Sequence, residues 1–238
     1  MKKLQLIYIL PNLFTAASAF LGVISIISSL QGNYQKALLY IILSLICDGL
    51  DGRIARLTNS TSKFGVEFDS LADLVAFGVA PAIFFYVSIG INFGRFGALI
   101  TAFFVIFGAI RLARFNVTTG TYEPSIFIGL PIPTAAIVSA IYTYAYVSYD
   151  FLRDYDTIFL ILQALLSFLM VSNIRYPSFK KIDFSRSSVL KVLVCLIISF
   201  SILYLYPLES VVIVVSVYVL YGLLRAIYML CNAKFKKQ

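Results

Sequence analysis

Four aspartates, Asp48, Asp51, Asp69 and Asp73, fall within one stretch, Cys47–Asp73, and apolar sequence lies on both sides of it. A carboxylate at membrane depth costs about 2.5–3.5 kcal/mol or more unless it is paired, solvated or bound to a cation. Read as helices, Asp48, Asp51, Gly52, Ala55 and Arg56 fall at i, i+3, i+4, i+7 and i+8, which is one face. Gly65, Asp69 and Asp73 fall at i, i+4 and i+8, again one face. Eight residues separate Arg56 from Gly65. That short connection predicts antiparallel neighbours whose aspartate rows meet. Carboxylates facing one another without His or Cys make a hard oxygen site. It suits Mg2+ or Mn2+, with Ca2+ as an alternative. Two divalent ions rather than one would balance four negative charges. Gly52 and Gly65 remove side chains where something approaches the backbone closely. Arg56 turns a planar, permanently charged fork toward the same place, as a phosphate ligand would. Helix-packing glycines and a buried Asp–Arg pair would explain some of these residues, but not all of them in register.

The elements that must hold this stretch are hydrophobic. Of 238 residues, 61% are hydrophobic and 13% charged, against about 45–50% and about 25% in soluble domains. The chain therefore reads as an all-α integral membrane protein. It has no His, so acid–base chemistry falls to carboxylates, Tyr, Lys or Cys. Cys47, Cys195 and Cys231 are far apart in apolar runs, with neither disulfide nor metal spacing. The net charge of +8 suits anionic lipid headgroups rather than nucleic acid.

Eight candidate spans follow from runs of about 20 apolar residues: 13–30, 34–57, 65–89, 95–113, 131–148, 156–173, 188–206 and 208–231. Only Pro207 separates the last two, so a count of six or seven is also compatible. Lys2–Leu10 reads as a short interfacial helix within residues 1–12, turning at Pro11-Asn12 into the first span. A cleaved signal peptide fits less well, because the apolar run continues past Ala19. Lys and Arg crowd the termini and alternate loops, which places both termini in the cytoplasm and the aspartates near the cytoplasmic face of the cell membrane. No internal repeat or soluble domain stands out. The economical reading is one membrane domain, 1–238, with a core over 13–180 and two further C-terminal spans over 188–231.

The pattern Asp-x-x-Asp-Gly-x-x-Ala-Arg, eight residues, Gly-x-x-x-Asp-x-x-x-Asp resembles the signature of the CDP-alcohol phosphatidyltransferases. Asp48, Asp51, Gly52, Ala55, Arg56, Gly65, Asp69 and Asp73 fill every position. The run Asp69–Ala82 with Gly78 and Pro81, the segment Arg111-Leu-Ala-Arg114-Phe-Asn116, Gly129–Pro133 and Asn173–Lys180 are similar to the phosphatidylserine synthase branch. The resemblance covers about residues 5–180; the last two spans match nothing in it.

The resemblance implies that Asp48, Asp51 and Asp69 hold two divalent ions against the diphosphate of a CDP-linked lipid, with Asp73 as ligand, general base or both. It implies that Gly52, Ala55 and Arg56 line the CDP site, with Thr61, Ser62 and Gly65 beside the cytidine. Pro11, Asn12 and Thr15 resemble the family's short motif at the first span, which reaches the nucleotide. Arg111, Arg114 and Asn116 become candidates for the serine carboxylate or the lipid phosphate. Arg175, Lys180 and Lys181 form a second basic cluster that serves catalysis or headgroup attraction alike, and Glu67 faces either away from Asp69 or toward serine. The implied reaction is attack by the hydroxyl of L-serine on the lipid-linked phosphorus, releasing CMP, in a homodimer by analogy with relatives. Direct transfer is expected, since no constellation for a covalent intermediate is present. Two alternatives stand beside it: another alcohol acceptor, such as glycerol phosphate or inositol phosphate, and a divalent-cation or proton-coupled transporter. A transporter would leave the two glycines and Arg56 without a purpose.

Overall fold

The computed structural model describes residues 4–118, 126–177 and 189–235. The helices are α1 (Leu4–Leu30), α2 (Tyr34–Leu57), α3 (Lys63–Asp73), α4 (Ala80–Ser88), α5 (Arg95–Thr118), α6 (Ile132–Ser148), α7 (Asp156–Val171), α8 (Val189–Leu205) and α9 (Pro207–Phe235). Two three-residue strands, β1 (Ile126–Ile128) and β2 (Arg175–Pro177), pair antiparallel with Phe127 opposite Tyr176. Among the described residues, all regular structure is thus helical apart from this small ladder. Among the described residues, four segments are long and apolar enough to cross a membrane: Tyr8–Leu30, Lys63–Ser88, Arg95–Thr118 and Asp150–Val171. Helix α2 carries Lys36, Asp48, Asp51, Arg53 and Arg56, and charge rather than length separates it from those four.

The N-terminal reading needs correcting. Helix α1 runs through Pro11 without ending, whereas a turn into a separate helix was expected there. Proline removes its own N–H from the ladder and its ring crowds the carbonyl four residues back, which a helix can absorb by bending. Breaking an apolar helix would leave several more backbone groups unpaired, which is costlier in a nonpolar setting.

The third expected span is also not one regular helix. Between α3 and α4, Leu74–Val79 form a wide π-helical turn, and the Ala80 N–H reaches Val75 O. Pro81 follows at once. In a regular α-helix its ring would clash with the carbonyl four residues back, and the wider turn relieves that clash.

The contacts divide the chain into two compact units, Met1–Thr119 with Pro131–Val171, and Gly120–Leu130 with Ser172–Gln238. In the first, Ile41, Ala80, Phe84 and Ala140 form one core cluster, joined by Ile26 and Tyr34. A second joins Phe85, Ile89, Tyr146 and Phe159. Helix α1 packs along α2 and also against α3, the π turn and α4. A side chain at Gly22 would lie 2.7 Å from Ala76 Cα, so α1 meets the π turn backbone to backbone. In the second unit, buried Tyr176 lies against Tyr218, and its ring fills the notch left by Gly222. Burial pushes its phenol up to about 12, so it stays neutral.

Candidate active site

Helix α2 ends at Leu57, the Thr58 hydroxyl bonds back to Ile54 O at 2.8 Å, and Asn59 adopts a positive φ of 50°. Asn is among the few residues that tolerate this left-handed geometry. The turn buries Ser60, whose hydroxyl lies 2.6 Å from that of Thr58. Ser62 then caps α3 by accepting the Gly65 N–H at 3.0 Å. This tight return brings Asp69 back beside α2.

Carboxylate oxygens of Asp48, Asp51 and Asp69 all lie within 4.8 Å of one another. Asp51 is buried, and Asp48 and Asp69 are partly buried. Its neighbour α1 completes the set, because the Thr15 hydroxyl donates to Asp51 Oδ2 at 2.6 Å. Asp73 is buried one turn beyond Asp69. Its side chain lies close to that of Asp48, and among the described residues its buried Oδ1 meets no hydrogen-bond partner. Two carboxyl groups in such contact must share either a proton or a cation. The donor set is wholly hard oxygen, and Asp48, Asp51 and Asp69 are close enough for one cation to touch all three. The residues therefore fit a divalent metal ion.

Beside the carboxylates lies an open cavity of about 200 Å³, lined by Pro11, Asn12, Thr15, Asp51, Gly52, Ala55, Arg56, Ser60, Thr61, Ser62, Gly65, Val66 and Asp69. All nine residues expected at a CDP-lipid site line it. The two glycines differ in what they permit. A Cβ on Gly65 would come within 3.1 Å of Ser62 Oγ and 3.4 Å of Asn12 Oδ1, so its absence lets α1 close over the start of α3. A Cβ on Gly52 would sit 3.7 Å from Arg56 Nη1, which places the guanidinium over the bare backbone there.

The three residues expected at the acceptor separate. Arg111 is 8% exposed. Its guanidinium lies 5.2 Å from the Phe115 ring, and its charge acts on Asp73 and Asp48. Among the described residues, no hydrogen-bond acceptor meets its N–H groups. Arg114 instead donates to Val171 O at 3.0 Å and Met170 O at 3.2 Å, the last carbonyls of α7, where a cation also meets the negative helix end. Asn116 donates to Ser70 Oγ at 2.9 Å. Glu67 is exposed on α3. Lys180 and Lys181 lie outside the described residues. Sequence reasoning missed Ser60, Val66 and Ser70. The Asn59-Ser60 pair in a polar turn was a signal for the first; the other two carried none.

Residues 8–170 match the CDP-alcohol phosphatidyltransferase family. The chain belongs to that family. It is 48% identical to a CDP-diacylglycerol–serine O-phosphatidyltransferase of Helicobacter pylori (strain J99), over 97% of this chain and 96% of the relative. It is 37% identical to an archaetidylserine synthase of Methanothermobacter thermautotrophicus, over 74% of this chain and 72% of that one. A CDP-diacylglycerol–serine O-phosphatidyltransferase of Bacillus subtilis is 35% identical over 72% of this chain and 92% of its own length. The match thus takes in the aspartates, the cavity and Arg111, and this phosphatidyltransferase-family member is an enzyme of phospholipid biosynthesis built in membrane-type helices.

Proposed function

We propose that the protein transfers the phosphatidyl group, or its ether-lipid counterpart, from a CDP-linked lipid to the hydroxyl of L-serine and releases CMP. The observation that carries this reading is the convergence of Asp48, Asp51 and Asp69, the last two in the wall of a cavity that Gly52, Arg56 and Gly65 also line. The near full-length similarity to serine transferases supports the choice of acceptor.

Asp48, Asp51 and Asp69 would hold divalent metal, two ions of Mg2+ or Mn2+, with Asp73 as ligand, base or both. Such ions, when bound, neutralise a diphosphate and stabilise the leaving phosphate. Thr15 fixes one lone pair of Asp51, so that its other oxygen faces the site. Arg56 binds a phosphate oxygen from the cavity side, where Gly52 leaves room. Asn12, Thr61 and Ser62 supply polar contacts to the nucleotide, and Pro11, Ala55 and Gly65 shape the wall against it. Asp73 Oδ1, which meets no partner among the described residues, accepts the proton of the serine hydroxyl as the serine oxygen bonds to phosphorus and the bond to CMP breaks. Arg111 lies near the same carboxylates, and among the described residues no acceptor meets its donors, which suits the serine carboxylate or the lipid phosphate.

The same proposal places the protein in the cell membrane with both termini and the site on the cytoplasmic side. It makes the first residues of α1 interfacial and the enzyme a homodimer. The test is CMP release from CDP-diacylglycerol with Mn2+, offering serine, glycerol phosphate or inositol phosphate in turn. Turnover with serine is expected. Turnover with another acceptor and none with serine overturns the assignment, and cation uptake into vesicles without CMP release would favour transport.

A further inference from the structure

Helix α3 carries Asp69 and Asp73 but is only 11 residues long, and it gives way directly to the π turn at Leu74. A regular α-helix continuing into α4 would fix the rotation of both aspartates through the packing of Phe84 and Phe85. The π turn changes the register between α3 and α4, so the rotation of α3 also depends on what lies beside it: α1 on one side and a side-chain contact from α5. Ser70 sits between the two aspartates in sequence. Its Oγ donates to Val66 O at 3.2 Å and accepts from Asn116 Nδ2 at 2.9 Å. The last turns of α5 are themselves anchored to α7 through Arg114.

We infer that Asn116 is a positioning residue acting through Ser70, holding α3 at the rotation that presents Asp69 and Asp73 to the site. This departs from the sequence expectation that Asn116 binds serine or the lipid phosphate. It rests on the aspartates being the reaction centre. Asn116 and Ser70 then function as one unit, and Arg114 supports the helix that carries the tether.

The test is a double-mutant cycle in the full-length enzyme, with Asn116→Ala, Ser70→Ala and both together, assayed by CMP release against serine and CDP-diacylglycerol. Each single variant should lower kcat about fivefold, the equivalent of one neutral hydrogen bond. The double variant should be no slower than the slower single one, and KM for serine should stay within about twofold. Ser70→Thr, which keeps the hydroxyl, should recover most of the loss. A readout without turnover comes from melting: the Mn2+ concentration giving half-maximal thermal stabilisation should rise by the same factor in both singles and in the double. Losses that multiply to about 25-fold, a serine KM raised by Asn116→Ala alone, or no change in either single variant would each overturn the tether. If Asn116→Ala fails to fold, Ser70→Ala against Ser70→Thr still decides, because a difference between them is required. Full turnover by Asp73→Asn and Asp69→Asn would instead sink the underlying assignment of the reaction centre.

Discussion

The Thr15 hydroxyl belongs to α1, yet its partner is a carboxylate of α2. Charge-assisted bonds of this kind contribute about 1.5–3 kcal/mol, and here the bond orients Asp51 rather than merely stabilising the helix pair. Thr15→Val keeps the shape and removes the donor, so CMP release should fall about tenfold or more, while Thr15→Ser should restore it. Gly65 sets a different balance. Alanine there gains up to about 1 kcal/mol of helix propensity, but its Cβ would crowd Ser62 Oγ and Asn12 Oδ1. Gly65→Ala should therefore leave the melting temperature level or slightly raised and increase KM for the CDP-lipid severalfold. The reverse pattern would mean that the glycine serves folding alone. The aspartates were legible because helical spacing fixes which face a residue occupies before any partner is known. Arg114 and Asn116 were not, because the partner of an arginine or asparagine at a helix end depends on which other helix end lies alongside. For Arg114 that end is α7, 56–57 residues away in sequence.

Among the elements, α2 begins and ends where turn chemistry places it, between Asn33 and Thr58. What the sequence hid lay inside helices. Pro11 reads as a break but is passed through, and Pro81 is accommodated by a π turn that no periodicity announces. Only the close pair of Gly78 and Pro81 hinted at irregular backbone. Two glycines test this packing. Gly22→Ala puts a Cβ 2.7 Å from Ala76 Cα; α1 must back away from the π turn, at a cost of about 1–3 kcal/mol. Gly49 has nothing within 4 Å, so Gly49→Ala should stabilise α2 by up to about 1 kcal/mol. Thermal melting of the two variants should thus move in opposite directions. A parallel shift would mean that α1 does not bear on the π turn as described.

At the scale of the whole molecule, the cost of gathering carboxylates should be visible as ion-dependent stability. A cation that binds only the folded state adds about 2.7 kcal/mol at 100 times its dissociation constant. Mn2+ or Mg2+ should raise the melting temperature and a chelator should lower it. Asp69→Asn should abolish most of that response, whereas Asp150→Asn, in the exposed pair with Arg153, should keep it. Equal responses in both variants would place the ion elsewhere. Among the described residues, the side chains lining the cavity run from Pro11 to Asp69. During synthesis, then, these lining residues are made before Arg111 and Asn116 leave the ribosome. The carboxylates are therefore synthesised before the residue proposed to tether α3. A polypeptide stalled after α4 would carry these lining residues, with α3 held by α1 and the π turn but still without the Asn116 tether on Ser70.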